Sequence, residues 1–263
     1  MHYRTGVMGV GVVGNAVANV LSKPFLYDKY KKIGSLREIN KADIIFICVP
    51  TPYDKKNGFD ISFVDSAFRI IKGKKIIVIK STVLPGTTED FQKKFPQHKV
   101  LFNPEFLTEA SAGRDMREPE RQIVGYTEKS KDVADKVMAV LPRAPFEKIM
   151  PATEAEMVKY FGNTFLAIKV IFANQIYDFC QIMSLDYDLI KECVSADKRI
   201  GFSHLDVFHG SFRGYGGKCF PKDMKALIQF ADKTGFDLRL HKIADEINDK
   251  MINNQKVLDP EKL

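Results

Sequence analysis

Short apolar runs alternate with stretches of helical period through the first part of the chain. TGVMGV (5–10), PFLY (24–27), DIIFICV (43–49), KIIVIK (75–80), KVLFN (99–103) and QIVGY (122–126) read as strands. Several are apolar at almost every position, as strands buried on both faces must be. Helical spacing of apolar residues appears between them at 15–21, 35–42, 62–71 and 131–141. This alternation predicts a parallel α/β sheet. The texture changes near residue 150. Thr153-Glu154-Ala155-Glu156 reads as a capping box, in which Thr153 and Glu156 each satisfy a free helix-start amide. A helical pattern then runs to about Met183, interrupted by no proline and by one glycine, Gly162. At 1.5 Å per residue that is ~45 Å of helix. Met157, Phe161, Phe165, Ile168, Phe172, Ile176 and Phe179 make it too apolar for a surface helix, so it predicts a spine between domains or a dimer core. Further helices are expected over 187–194, 224–233 and 238 to about 255.

Residues 9–14 read GVGVVG, a G-x-G-x-x-G that directly follows a predicted strand and opens a helix. In that setting Gly9 permits a tight turn, Gly11 lets a pyrophosphate approach the backbone, and Gly14 permits close helix packing. Val12 and Val13 lie within this turn, and the N-terminus of the helix it opens favours the phosphate charge. Asp28 ends the second predicted strand, where a carboxylate holds the adenosine ribose of NAD and repels the extra phosphate of NADP. Lys29, Lys31 and Lys32 follow closely and weaken that preference. The expected fold is therefore a Rossmann-type parallel sheet over 1–150, followed by an all-helical domain over 151–263 built on one long central helix. Val49-Pro50-Thr51 and Ser81-Thr82 follow strands and would line the same crevice. So would NPEFLTEA (103–110), with Glu105 and Glu109.

GYGGKCFPKD (214–223) carries the second chemical signal. A thiol is nucleophilic as thiolate, and a helix N-terminus or a nearby cation lowers its pKa. If Asp223 caps a helix from Met224, Cys219 sits just before its positive end, flanked by Lys218 and Lys222. The alternative is a free loop cysteine beside a helix cap. Lys159 and Asn163 stand at i and i+4 on one face of the long helix. They read either as a snorkelling lysine with a surface amide or as a positioned ammonium and amide that hold an oxyanion.

Composition narrows the class. Apolar residues are 45% and charged residues 28%, ordinary for a globular protein. No apolar run nears the ~18 residues that span a bilayer, and the N-terminus lacks a signal-peptide layout. A cytoplasmic protein without a membrane role is expected. Cys48, Cys180, Cys193 and Cys219 form no C-x-x-C pair and no metal-spaced cluster, so no metal is expected. The first three read as structural. Net charge is +7, but the lysines look scattered, which favours a phosphate-bearing small molecule over nucleic acid.

GVGVVG, VPTP, STVLPGTTE, NPEFLTEASAGRD, EAEMVKYFGNTFLAIKV, DKRIG and GYGGKCFPKD occur in the order seen in the UDP-glucose/GDP-mannose dehydrogenase family, which the chain resembles from about residue 6 to 250. The resemblance implies NAD-dependent four-electron oxidation of a nucleotide sugar's C6 alcohol to the carboxylate. UDP-glucose is the first candidate; GDP-mannose and a UDP-amino sugar are the alternatives. By that resemblance Cys219 forms a thiohemiacetal and then a thioester. Lys159 and Asn163 stabilise the oxyanion, Asp223 orients water or acts as base, and Glu105 and Thr82 assist hydrolysis. Thr82 and Glu109 lie near the nicotinamide. Phe106, Leu107, Phe208, Tyr215 and Gly216 meet the substrate, and Arg199 reaches a neighbouring subunit's substrate, implying a homodimer through the long helix. The family usually adds a second nucleotide-binding domain and a longer segment after Asp28, and often has serine at 218. A non-catalytic NAD-binding subunit is therefore the competing class. A two-electron hydroxyacid dehydrogenase would leave Cys219 without a use.

Overall fold

The structure of the chain is a computed structural model that describes residues 3–56, 58–108, 111–210, 212–217 and 219–257. The chain divides into two compact units, Met1–Lys159 and Tyr160–Leu263. In the first, the order is β1 (Thr5–Met8), α1 (Val12–Val20), β2 (Phe25–Tyr27), α2 (Leu36–Ile39), β3 (Ile44–Ile47), β4 (Tyr53–Asp54), β5 (Gly58–Phe59), α3 (Ser62–Ile70), β6 (Ile76–Ile79) and α4 (Thr87–Lys94). Then come β7 (Lys99–Phe102), α5 (Ala112–Arg117), β8 (Arg121–Tyr126), a 3₁₀ turn (Lys131–Val133), α6 (Ala134–Val140) and β9 (Phe146–Pro151). α7 (Ala152–Ile182) crosses the division, and α8 (Tyr187–Ser195), α9 (Phe220–Lys233) and α10 (Arg239–Val257) complete the second unit.

The seven-stranded sheet has the order β2-β1-β3-β6-β7-β8-β9. Every pair is parallel except β7 with β8, so the all-parallel expectation is corrected at that one seam. The apolar strand runs are explained by two covered faces. Ile45, Ile47, Ile77, Ile79 and Phe102 pack with Ile39, Val64, Phe68, Phe91 and the start of α7 at Ala152 and Ala155. Val7, Ile44, Phe46, Val78, Leu101 and Val124 pack with Val17, Met116 and Val137 from α1, α5 and α6. Because β1 is flanked by β2 and β3, the chain reverses its winding there. The crevice at the carboxyl ends of β1 and β3 is where such sheets take ligands.

Several elements depart from the sequence reading. β9, α4 and α5 were not expected, and α9 starts at Phe220 rather than Met224. Thr153 lies inside α7, and Glu156 does not close a capping box on its own helix. Its carboxylate accepts instead from the start of α4: from Gly86 N (2.6 Å), Thr88 N (2.8 Å) and Thr88 Oγ1 (2.6 Å). Cys48 and Cys180 are buried, whereas Cys193, read as structural from the sequence, is exposed on α8. The long helix is not covered all round within this chain: Phe161, Phe165, Phe172 and Phe179 are each more than half exposed. The second unit is built around Ala167, Val170, Ile171, Tyr215, Met224 and Ala244. Among the described residues no helix is long and apolar enough to cross a membrane.

Candidate functional site

The glycine-rich turn joins β1 to α1. Gly9 has φ +88, and a Cβ there would come within 2.7 Å of the Cys48 carbonyl. A Cβ on Gly14 would lie 1.8 Å from the Gly9 carbonyl. These two positions admit glycine alone, because backbone rather than movable side chain fills the space. Gly11 differs: a Cβ there would meet nothing within 4 Å, so the turn is open on the side a pyrophosphate would approach. Val12 and Val13 begin α1.

Asp28 stands beside this turn. Its carboxylate accepts from the amides of Val10 (2.8 Å), Tyr30 (3.0 Å) and Lys31 (2.9 Å), while the Lys31 ammonium donates to the Val10 carbonyl (2.7 Å). Partial burial pushes the carboxyl up, but the amides and the Lys31 charge outweigh it and hold the group below its ordinary range. Gly9, Asp28, Tyr30, Val49, Pro50 and Phe63 line a cleft of about 320 Å³. Apolar walls with a carboxylate at the rim fit an adenosine, so the residues present suit NAD. Thr51 and Thr82 meet at the crevice, where Thr51 Oγ1 donates to the Thr82 carbonyl (2.7 Å).

Beyond β7 the chain turns through Asn103-Pro104-Glu105. Glu105 and Lys159 form an ion pair 9% and 5% exposed. Lys159 Nζ donates to Glu105 Oε1 (2.8 Å) and to its carbonyl (2.7 Å), and Leu107 N donates to Oε2 (2.9 Å). Burial pushes the Glu105 carboxyl up. The Lys159 ammonium and its hydrogen bond, the Leu107 amide and the Lys80 charge together prevail and hold it down. Phe106 lies under the Arg121 guanidinium, 3.9 Å from the ring centre.

In the second unit, Cys219 is exposed and directly precedes α9 as its N-cap residue. Its carbonyl accepts the Asp223 amide (2.9 Å). Asp223 is therefore in the first turn and fully buried, rather than capping a helix from Met224. Its carboxylate accepts from Asn163 Nδ2 (2.5 Å) and Lys222 Nζ (2.6 Å). Tyr215 is a core residue, its hydroxyl donating to Asp245 (2.8 Å) and its backbone held at both ends by Asn248. Gly216 lies against the Phe212 ring. Phe208 is exposed and meets Tyr177 edge-on at 5.3 Å. Arg199 is on the surface, paired with Asp197. Glu109 and Lys218 lie outside the described residues.

Two buried charged residues near these positions were missed or misplaced in the sequence reading. Lys80 is buried and donates to Asn103 Oδ1 (2.7 Å); its signal was a lysine ending the apolar run IIVI. Glu156 was assigned to the wrong helix start. Among the described residues no cluster of three or more His, Cys, Asp or Glu could hold a metal ion.

Residues 17–141 match the NAD binding domain of the UDP-glucose/GDP-mannose dehydrogenase family, and residues 153–250 match its central domain. A UDP-glucose 6-dehydrogenase of Bacillus subtilis is 36% identical over 81% of this chain and 47% of its own length. A UDP-glucose 6-dehydrogenase of Pseudomonas aeruginosa is 35% identical over 79% of this chain and 48% of its own. The chain thus spans about half the length of these relatives. A UDP-glucose dehydrogenase structure from Pyrobaculum islandicum superposes with a TM-score of 0.81 at 29% identity, over 95% of this chain and 68% of that one.

Proposed function

Since the chain belongs to the UDP-glucose/GDP-mannose dehydrogenase family, we propose that it serves NAD-dependent four-electron oxidation of a nucleotide sugar at C6, UDP-glucose to UDP-glucuronate. NAD is the cofactor of the first unit, and two NAD molecules bound in turn would each accept one hydride, one per oxidation. The observation that carries the reading is an exposed thiol at the start of α9, with a buried carboxylate one turn further on. A helix start is where backbone amides and the helix dipole favour negative charge in general.

In this reading the first oxidation removes a hydride and a proton from the C6 alcohol and leaves an aldehyde. The Cys219 thiolate adds to the aldehyde carbon, forming a C–S bond and an oxyanion. Lys159 and Asn163 are the positive charge and amide offered to that oxyanion. Loss of the second hydride leaves a thioester. Water cleaves the C–S bond, giving the carboxylate and returning the thiolate. Asp223 orients that water or takes its proton, and Glu105, paired with Lys159, assists with Thr82. Val49, Pro50 and Thr51 line the cofactor crevice, and Glu109 serves the nicotinamide end. Phe106, Leu107, Phe208, Tyr215 and Gly216 belong to the substrate's surroundings.

A homodimer through α7 is part of the same proposal. Phe161, Phe165, Phe172 and Phe179 repeat at intervals of 4, 7 and 7 along one exposed face, the spacing of a helix seam. Arg199, on the surface, is then available to a second copy's substrate.

The test is NADH formed per UDP-glucose consumed by the purified chain. Two per sugar, with acid formation abolished in Cys219→Ser, is the expected outcome. Full acid formation by that variant would remove the covalent route. NAD binding without NADH formation would favour a cofactor-binding subunit without turnover.

A further inference from the structure

Lys80 is 2% exposed, and among the described residues its side chain donates one hydrogen bond, to the neutral amide of Asn103 (2.7 Å). A buried ammonium normally has a carboxylate partner, because its desolvation is otherwise uncompensated. Here the nearby carboxylate, Glu105, is bonded to Lys159 instead. The buried neighbourhood thus holds two lysines and one glutamate, together with the Cys48 thiol. Burial pushes that thiol up to about 12, so it stays neutral. Burial pushes the Lys80 amine down to about 8, against the pull of Glu105. On its other side Lys80 faces a cleft of about 460 Å³, where Arg114 and Arg121 stand against Asp115, Glu118 and Glu120.

Asn103 translates this charge into geometry. Its Nδ2 donates to Gln122 Oε1 (2.9 Å) and to the Ile123 carbonyl (2.7 Å), and its backbone amide bonds Ile79 (2.9 Å). It therefore bridges β6, β7 and β8 at the seam where strand direction reverses. Glu105 follows two residues later.

We propose that Lys80 is a positioning residue for the Glu105–Lys159 pair: through Asn103 it fixes the turn that carries Glu105, and its buried ammonium adds positive charge beside that turn. The role of that pair in the reaction rests on the function proposed above; the positioning does not. The test is an NMR titration of the full chain carrying 13C-carboxyl glutamate, with Glu105 assigned by its loss in Glu105→Gln. Lys80→Gln keeps a donor for Asn103 and removes the charge; Lys80→Met removes both. The Glu105 midpoint is expected to rise by about half a pH unit or more in both variants, and further in Lys80→Met. If Lys80→Met does not fold, Lys80→Gln decides. An unchanged midpoint in Lys80→Gln overturns the proposal. In turnover of UDP-glucose the same variants shift the acid limb of the rate profile to higher pH. A wild-type chain that forms no NADH sinks the functional reading and leaves the titration to decide Lys80.

Discussion

Glu105 and Asp223 are both buried carboxylates, one in each unit, and they are held in opposite ways. Glu105 lies in a loop and meets an equally buried ammonium 54 residues away in sequence. Asp223 lies in the first turn of α9 and meets a neutral amide from α7 and an ammonium from the adjacent residue. Its lysine keeps 21% of its side-chain surface exposed. The first charge has one direct ion-pair partner among the described residues, and it is long-range; the Leu107 amide and the Lys80 charge add to it. The second is balanced locally, by a helix start and a partly exposed neighbour. A buried charge with one partner is vulnerable to loss of that partner, whereas distributed compensation degrades gradually.

The largest expected effect follows from that vulnerability. Lys159→Met leaves Glu105 buried and unpaired, and should cost about 3–5 kcal/mol of stability. Denaturant unfolding of Lys159→Met, Glu105→Gln and the double variant measures it. The double variant should recover part of the loss. Simple additivity would show that the two groups are not coupled.

A pH series compares Glu105 with Glu156, which is fully buried and, among the described residues, has no cation as partner. Burial pushes Glu156 up to about 7 from its ordinary 4.5, in spite of its bonds to Thr88 and Gly86. The folded state then binds the proton more tightly than the unfolded chain. Its contribution is fully present below pH 4.5 and is lost as pH rises through about 7, by up to about 3 kcal/mol. Glu105 has the opposite sign: its contribution is present above the ordinary carboxylate pKa and is lost as pH falls through its lowered value. Melting curves between pH 4.5 and 7 should fall with pH in the wild type and flatten in Glu156→Gln. An identical slope in that variant would remove Glu156 as the source.

Asp223 gives a smaller effect. Asn163→Leu removes one neutral donor and should cost about 1–3 kcal/mol, with Lys222→Met costing about 1 kcal/mol or less. A reversed order would place the compensation of Asp223 in its neighbouring lysine rather than in α7. The smallest effect is expected at Arg199, whose pair with Asp197 is solvated. Arg199→Ala should leave the melting temperature unchanged, and any effect on turnover would then belong to ligand contact.

Much of the sheet was legible because burial on two faces writes itself as unbroken apolar sequence, as in IIFI and IIVI. β9 was missed for the converse reason: FEKIMP lies at the sheet edge with no fully buried position and carries charged residues. α4 and α5 are short and polar (TTEDFQKK, AGRDMR), and neither presents enough periodicity to be seen. The start of α9 was misplaced because Asp223 resembles a capping residue, whereas Pro221 two positions into the helix was the better marker. In the candidate site, the residue types were readable from motifs. Which of them touch was not, because Glu105–Lys159, Asn163–Asp223 and Lys80–Asn103 each join segments far apart in the chain. Glu156 shows the limit: its local spacing fitted a capping box, and the tertiary fold supplied a different helix.

The turn after β2 bears on how readily this chain could change its coenzyme. Asp28 is followed within four residues by Lys29, Lys31 and Lys32, and Lys31 already folds back onto the glycine-rich turn. A phosphate on the adenosine ribose would find cations in place and a single carboxylate opposing it. Coenzyme preference at this turn is therefore expected to depend first on Asp28. Selection for coenzyme would act on that residue before any other in the cleft.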